Sequence, residues 1–200
     1  MTRSGGGCIT LNFSITIPDG LARLFIALAL FYRRARYGYT FRRIPLTQGK
    51  YAIVDPEDFE RLNKHKWYAA RDTRTFYAHR KKRVGKKYVS IGMHREILNP
   101  PGHLMVDHIN HNGLDNRKAN LRLATCAQNS YNRRQVRKNK SSKYIGVSWK
   151  QWTKKWAVII CYKRKNKIVG YFKDEIQAAK AYDKAAKKYH GEFASLNFPE

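Results

Sequence analysis

Residues 106–134 (VDHINHNGLDNRKANLRLATCAQNSYNRR) carry strand, turn and helix signals within one short stretch. Residues 106–109 are typical of a strand end, and Asn112-Gly113 is a strong signal for a hairpin turn. A second strand is expected over 120–123, and Thr125 is a candidate N-cap for the helix that follows. This order predicts a small strand–turn–strand–helix unit in which the ends of the elements meet.

Polar side chains with catalytic chemistry occupy this unit. Asp107 and His108 lie at the end of the first expected strand and Asn129 lies in the expected helix, so the fold brings the three together. A carboxylate and an amide oxygen suit a hard cation such as Mg²⁺, which keeps its other coordination positions for water and phosphate oxygens. A neighbouring imidazole takes a proton from water near neutral pH. These groups predict metal-assisted hydrolysis of a phosphodiester bond.

The pattern resembles the HNH endonucleases of the His-Me finger (ββα-metal) fold, specifically the phage and intron homing type. In that family the first motif is Asp-His, the middle position is Asn and the last is His or Asn. These positions fall here on Asp107-His108, Asn120 and Asn129. The likeness covers residues 94–132 and includes the framework triplets Asp115-Asn116-Arg117 and Asn120-Leu121-Arg122.

The resemblance implies a role for each motif residue. His108 is expected to be the general base, and Asp107 and Asn129 are expected to bind one divalent ion, Mg²⁺ or another such as Mn²⁺. Asn120 is expected to hydrogen-bond within the loop and to steady the catalytic geometry of His108. The Cys-x-x-Cys pairs that bind zinc in some relatives are absent from the sequence, so no structural zinc is expected.

Basic residues around the motif are candidate DNA contacts. His94 and Arg95 precede it as a phosphate-contacting His-Arg pair does in similar proteins, although packing or capping of a short helix explains them equally well. Three further candidates are Arg117, Arg133 and Arg134. The remaining histidines of this region, His103 and His111, are expected in solvated loops.

Residues 144–199 predict a second folding unit. Strands are expected over 145–149, 155–162 and 167–172. An alanine-rich helix follows, with Asp174 and Gln177 in a capping-box pattern, and it ends at Gly191. Both faces of the second strand are apolar, so we expect the helix to cover one face and a partner to cover the other.

This second unit resembles the Apetala-two (ethylene-response-factor) DNA-binding domain, in which a three-stranded antiparallel sheet packs on one helix and enters the major groove. The resemblance rests on framework positions such as Gly146, Trp156 and Gly170, and on the alanine-rich helix. The arginines with which plant members read guanine are missing, so a looser sequence preference is expected. The remaining candidate DNA contacts are Lys150, Trp152, Lys154, Lys163, Arg164 and Tyr171.

The charge of the chain favours a nucleic-acid partner. It has 41 Lys and Arg against 14 Asp and Glu, a formal net charge of +27. Nucleic acid is therefore the leading partner and an anionic membrane surface the second. The apolar segment 24–31 is followed rather than preceded by arginines, unlike a signal peptide, so it predicts a short helix or an extension outside the fold. The three cysteines are far apart, which favours an intracellular location, cytoplasmic or on a host nucleoid.

The predicted fold class is α+β: a small β-rich N-terminal region, a ββα-metal nuclease motif, and a three-stranded antiparallel sheet on one helix. Residues 1–40 are expected to be a poorly defined extension, and 41–130 the HNH nuclease domain, with the ββα motif at 103–130. Residues 131–143 predict a basic linker, and 144–199 the Apetala-two-type DNA-binding domain.

The sequence thus predicts a monomeric, metal-dependent endonuclease of double-stranded DNA, a homing or mobile-element enzyme of phage or viral origin. No membrane and no small-molecule cofactor are expected to take part. The main alternative is a DNA-binding transcriptional regulator with an inactive nuclease module. RNA binding and membrane association through residues 21–36 are further alternatives. The target sequence and the number of strands cut stay open.

Overall fold

The computed structural model describes residues 18–72, 75–133 and 141–199 of the 200-residue chain. The chain separates into two units, Met1–Thr40 and Phe41–Glu200. The first unit contains helix α1 (Asp19–Tyr37), none of whose residues is buried. The predicted short helix at 24–31 is therefore part of a longer, exposed one. Within the described residues, no helix has both the length and the hydropathy needed to cross a bilayer.

The second unit begins with two small antiparallel sheets and two short helices. The first sheet pairs β1 (Arg42–Pro45) with β2 (Tyr51–Val54), and α2 (Pro56–Asn63) follows it. The second sheet has the order β3 (Tyr68–Arg71), β4 (Phe76–Val84), β5 (Lys87–Gly92), and α3 (Met93–Leu98) follows directly. A common core holds these elements together, made of Ile44, Ala52, Val54, Phe59, Leu62, Trp67, Ala78 and Met93.

The motif region folds as β6 (Met105–His108), β7 (Leu121–Ala124) and α4 (Cys126–Tyr131). The strands are antiparallel, with Asp107 opposite Arg122. The prediction of Thr125 as N-cap is confirmed, because its side chain and that of Gln128 form a capping box.

The predicted hairpin turn at Asn112-Gly113 is wrong. A loop over 109–120 joins the strands, and it ends in a 3-10 turn at Lys118–Asn120. The left-handed residue in this loop is His111, with a φ of 64°, rather than the glycine. The Asn112 side chain accepts from the backbone N–H of Leu114 at 3.1 Å, and its carbonyl accepts from Asp115 N–H at 3.0 Å, so the β-turn here lies inside the loop and does not join the strands.

The last part of the chain forms a three-stranded sheet on one helix. The strands β8 (Val147–Lys150), β9 (Lys155–Tyr162) and β10 (Lys165–Phe172) are antiparallel in the order β10-β9-β8. Helix α5 (Glu175–His190) begins after Asp174, whose side chain accepts from Gln177 N–H. The predicted strands and helix are present, although β8 begins two residues later and β10 two residues earlier than expected.

The two faces of this sheet differ in burial. Val158 and Ile160 are buried with the alanines of α5 in one core. On the opposite face Ala157 is buried, but Cys161 of β9 and Tyr171 of β10 are exposed. The helix therefore covers one face as predicted, and the other face is only partly covered by the described residues.

Candidate functional site

A cleft of about 790 Å³ lies beside the β6–β7 hairpin. Asp107, His108 and Asn129 all line it, so the structure brings together the proposed base and both proposed metal ligands. Tyr77 of β4 and His94 of α3 form part of the same wall. The cleft thus lies between the motif and the preceding sheet.

His108 is the most deeply placed of the reactive groups. It is buried at the end of β6, with the rings of His94 at 5.3 Å and Tyr77 at 5.6 Å between centroids. Burial lowers the pKa of His108, against the opposing effects of the Asn116 hydrogen bond and the Asp107 charge. The imidazole is therefore neutral at neutral pH and able to accept a proton.

Asn116 determines which ring nitrogen accepts that proton. Its Oδ1 lies 3.4 Å from His108 Nε2, while its amide nitrogen lies 3.5 Å from the carbonyl oxygen of Gly113. The amide N–H group is directed to the Gly113 carbonyl, so Oδ1 acts as acceptor and Nε2 carries the hydrogen. The Nδ1 lone pair of His108 is then the proton-accepting site.

The Asp107 carboxylate is buried and held by two donors. Arg122 contacts Oδ2 through Nε at 2.9 Å and Nη2 at 2.8 Å. Asn132 donates its Nδ2 to both carboxylate oxygens at 2.9 Å and to the His108 carbonyl at 3.1 Å. The guanidinium uses only Oδ2 and Asn132 takes one lone pair of Oδ1, which leaves the second lone pair of Oδ1 for a cation.

The donor set fits a hard divalent cation. Asp107 and Asn129 offer one carboxylate and one amide on the same cleft, and most coordination positions would go to water and phosphate oxygens. In the described parts of the chain, no cluster of three or more His, Cys, Asp or Glu side chains forms a closed metal cage. An open, oxygen-only site of this kind is typical of Mg²⁺ bound together with a phosphate substrate.

Asn120 and Arg117 are both used inside the loop. Asn120 is buried, accepts from Asn110 N at 3.0 Å and donates to the Asp115 carbonyl at 2.8 Å. Arg117 donates hydrogen bonds to the Asp115 carboxylate from Nε at 2.8 Å and from Nη2 at 2.6 Å. Although burial would raise the pKa of Asp115, Arg117 holds it below its usual value. The guanidinium predicted to contact DNA thus stabilises the loop that supports His108.

The other candidate DNA contacts are distributed over several surfaces. His94 and Arg133 line the cleft, whereas Arg95 donates to the Leu104 carbonyl at 3.2 Å and lines a smaller neighbouring groove. Arg134 lies outside the described residues. In the C-terminal sheet the candidates are solvent-accessible, and Trp152 is 81% exposed. They comprise Lys150, Trp152, Lys154, Lys163, Arg164 and Tyr171.

Sequence reasoning missed Asn116, Arg122 and Asn132 as functional neighbours. Arg122 lies opposite Asp107 in the strand register, so a correct pairing of the two strands would have identified it. Asn132 follows Asn129 by three positions at the end of α4 and therefore points to a neighbouring side of the helix. Nothing in the sequence indicated that Tyr77 lines the cleft, because it reaches the cleft only through the tertiary packing of another sheet.

Burial of His94 predicts a pH-dependent stability. Burial, followed by the nearby His108 and His79, lowers the pKa of His94 from its ordinary 6.5 to about 3. Below pH 6.5 the unfolded chain takes up a proton that the folded chain does not, so stability falls as the pH falls, at up to about 1.4 kcal/mol per pH unit. His94→Phe should reduce the loss of unfolding free energy between pH 7.5 and 5.5 by about 1.4 kcal/mol.

Urea unfolding at the two pH values measures this difference. His103→Phe, at an exposed loop position, is the control and should keep the wild-type pH dependence. Equal pH dependence in wild type and His94→Phe would contradict the burial of a neutral imidazole.

The C-terminal sheet–helix packs directly on the motif. The rings of Tyr131 and His190 stack at 4.0 Å with an interplanar angle of 3°, and Lys163 N–H donates to the Tyr131 hydroxyl at 3.2 Å. Arg122 donates Nη1 to the Glu192 carbonyl at 2.6 Å, and its guanidinium lies 4.0 Å from the centre of the Phe193 ring. These contacts therefore join the motif to the C-terminal sheet–helix, in addition to the chain segment between residues 131 and 143.

Comparison with known proteins gives two matches. Residues 99–131 match a family described as HNH endonuclease. An uncharacterized HNH endonuclease of Acanthamoeba polyphaga mimivirus is 32% identical over 154 residues, which cover 75% of this chain and 76% of the relative. No solved structure gave a significant match. The family match contains Asp107, His108, Asn120 and Asn129, the residues that line or support the cleft.

Proposed function

The chain belongs to the HNH endonuclease family and is a DNA-cleaving hydrolase, and on this premise we propose that it is a metal-dependent enzyme whose active site is the cleft at His108. One observation carries the proposal. A buried, neutral imidazole and two oxygen donors, Asp107 and Asn129, line the same cleft. This is the combination that metal-assisted phosphodiester hydrolysis requires.

In the proposed reaction, Nδ1 of His108 takes a proton from a water molecule as the water oxygen attacks the phosphorus. The bond from phosphorus to the 3′ oxygen breaks and a solvent water protonates that oxygen, which gives a 5′-phosphate and a 3′-hydroxyl. Asn116 holds the Nε2–H of His108, and Asn120 holds the loop behind it. Asp107 and Asn129 would hold a divalent cation, Mg²⁺ or Mn²⁺, which would supply Lewis-acid stabilisation of the charge that develops on the phosphate and the leaving oxygen.

We propose that the C-terminal sheet–helix is an Apetala-two-type DNA-binding domain that directs the nuclease. Its support is the partly open sheet face, which carries exposed Tyr171, and the cations of its loops, including Lys163 and Arg164. Lysines contact phosphates without reading sequence, so we propose a loose sequence preference. We also propose a homing or mobile-element role, and the relative from a giant virus fits the viral origin that such a role implies. We further propose that the enzyme acts as a monomer.

Cleavage of a supercoiled plasmid tests the proposal. With Mg²⁺ the wild type should give nicked or linear DNA, and EDTA should stop the reaction. His108→Ala should slow cleavage by about 100-fold to 10,000-fold, because a positioned general base contributes that much. His103→Ala is the matched control, since His103 is an exposed loop histidine, and should cleave at the wild-type rate.

Two outcomes would contradict the proposal. Full cleavage by His108→Ala would remove His108 from the reaction. Tight, salt-sensitive DNA binding without cleavage by the wild type would favour the alternative function of a DNA-binding regulator with an inactive nuclease module.

A further inference from the structure

The hairpin of β4 and β5 extends beyond its sheet as a two-stranded arm. Strand β3 pairs only with Phe76–His79 of β4, whereas β4 and β5 pair with each other as far as Val84 and Lys87. All residues of 81–90 are exposed. We call residues 81–90 the arm. With a rise of about 3.4 Å per residue, it projects roughly 10–15 Å from the sheet.

The arm is strongly basic and contains no acid. Five of its ten residues are Lys or Arg, namely Lys81, Lys82, Arg83, Lys86 and Lys87. Cations at this density repel one another, so an arm of this composition is stabilised by an anionic partner. Nothing in its sequence supplies a compensating carboxylate.

Neither face of the arm has the composition of a strand face that packs into a protein core. One face carries Lys81, Arg83 and Tyr88, and the other carries Lys82, Val84, Lys87 and Val89. Tyr88 is 68% and Val84 is 57% exposed. A strand that packs on protein alternates apolar with polar residues, but here each face mixes cations with exposed apolar groups. Such a mixture suits a partner with both phosphates and flat apolar surfaces.

The base of the arm lies at the active-site cleft. His79, where the arm leaves the three-stranded sheet, and His94, just after β5, both line the cleft with His108. A substrate whose scissile phosphate reaches His108 therefore passes close to the base of the arm. A duplex also offers a place for it, because the major groove accommodates a two-stranded β-ribbon.

We propose that the arm is a DNA-binding ribbon that holds duplex DNA next to the cleaved phosphate. This inference rests on the proposed nuclease function and adds a contact on the nuclease side, separate from the C-terminal sheet. The lysines of the arm contact phosphates, so the arm contributes affinity and position rather than base recognition.

Salt-dependent binding tests the arm. The variant combines Lys81→Gln, Lys82→Gln, Lys86→Gln and Lys87→Gln. The control removes the same charge from exposed positions of α5, with Lys180→Gln, Lys184→Gln, Lys187→Gln and Lys188→Gln. Binding of a short duplex is measured without Mg²⁺ over a series of salt concentrations, so that cleavage is not needed for the readout.

The arm variant should bind more weakly, and the slope of log K against log salt should become shallower by about 0.9 for each phosphate that the arm no longer neutralises, up to about 3.6. The control should keep a slope close to that of the wild type. Equal losses in both variants, or an unchanged slope in the arm variant, would overturn the proposal. A loss of binding to duplex RNA without a loss for DNA would also overturn it.

Failure of the arm and failure of the nuclease proposal are distinguishable. Plasmid cleavage by the wild type depends on His108, whereas the difference in slope between the wild type and the arm variant depends on the arm. The substituted side chains are exposed, so the melting temperature of the arm variant should stay near that of the wild type. A retained melting temperature with an unchanged slope would reject the arm and leave the proposed active site in place.

Discussion

Arg122→Met is expected to lower DNA cleavage by about 10-fold to 100-fold, the usual cost of removing a residue that holds a metal ligand, the role we propose for Asp107. The same change should reduce the free energy of unfolding by about 3–5 kcal/mol, because it leaves the Asp107 carboxylate buried without its cation. It removes both guanidinium hydrogen bonds to Asp107, together with the bond to the Glu192 carbonyl. Plasmid cleavage and urea unfolding measure the two effects.

Two further variants separate the active-site role of Arg122 from its structural one. Arg122→Lys keeps the charge but replaces three separate donor nitrogens with one, so it should reproduce the bonds to Asp107 and the Glu192 carbonyl only in part, and stability should recover only in part. Phe193→Ala removes the ring beneath the guanidinium and leaves the Asp107 pair in place.

We expect Phe193→Ala to lose stability while its Mg²⁺ concentration for half-maximal cleavage stays near the wild-type value. Arg122→Met should need more Mg²⁺. Wild-type cleavage and Mg²⁺ dependence in folded Arg122→Met would show that the pair has no influence on the metal site.

Arg122 has a wider consequence for the architecture. One side chain contacts the proposed metal ligand on one side and the backbone and ring of the C-terminal part on the other. The stacking of Tyr131 on His190 adds a second contact across the same boundary. These contacts fix the C-terminal part, which we propose to bind DNA, at a set distance from His108, which a free linker would leave variable.

The local patterns of the sequence predicted local structure well. Strand β9 has the predicted bounds. Thr125 caps α4 because its hydroxyl accepts from one of the free N–H groups at the start of the helix, that of Gln128. The hairpin predicted at Asn112-Gly113 was wrong because that rule assumes that the two strands directly adjoin the turn. Here the strands end at His108 and begin again at Leu121, and side-chain hydrogen bonds shape the loop between them.

The sequence indicated the reactive groups of the candidate site but not the residues that surround and position them. Asp107, His108 and Asn129 share one stretch of sequence, and the motif alone brings them near one another. Tyr77 and His94 reach the cleft from another sheet and helix, which only tertiary packing determines. Arg117, predicted as a DNA contact, is bound by a carboxylate two positions away, a pairing that its place beside the motif did not indicate. Composition does not reveal which cations are already paired.

Gly146→Ala is expected to destabilise the C-terminal sheet–helix by at least about 3 kcal/mol, from backbone strain together with overpacking. Gly146 has a φ of 74°, a conformation that side chains disfavour. A Cβ there would lie 2.1 Å from the Tyr182 ring and 2.9 Å from the Ile159 carbonyl oxygen. Tyr182 is buried in the core of this part, so the ring cannot move aside without opening that core. Thermal unfolding followed by circular dichroism measures the loss.

Gly191→Ala is the control that separates the cost of backbone strain from the cost of steric overlap by the added Cβ. Gly191 also has a positive φ, of 57°, but an added Cβ meets nothing within 4 Å. It should therefore cost only the conformational part, about 1–3 kcal/mol, because its φ of 57° and ψ of −133° suit glycine. In the double variant Gly146→Ala with Tyr182→Leu, the smaller side chain removes the ring atoms that collide, so the two changes should be less harmful together than the sum of their single effects.

A Gly146→Ala protein as stable as Gly191→Ala would contradict the packing of this core. The same variant also tests how far the two parts depend on each other. The contacts of Arg122 with Glu192 and Phe193 link the C-terminal part to Asp107, so its unfolding should also lower plasmid cleavage. Cleavage that persists when the C-terminal part is unfolded would mean that the nuclease motif holds Asp107 in position by itself.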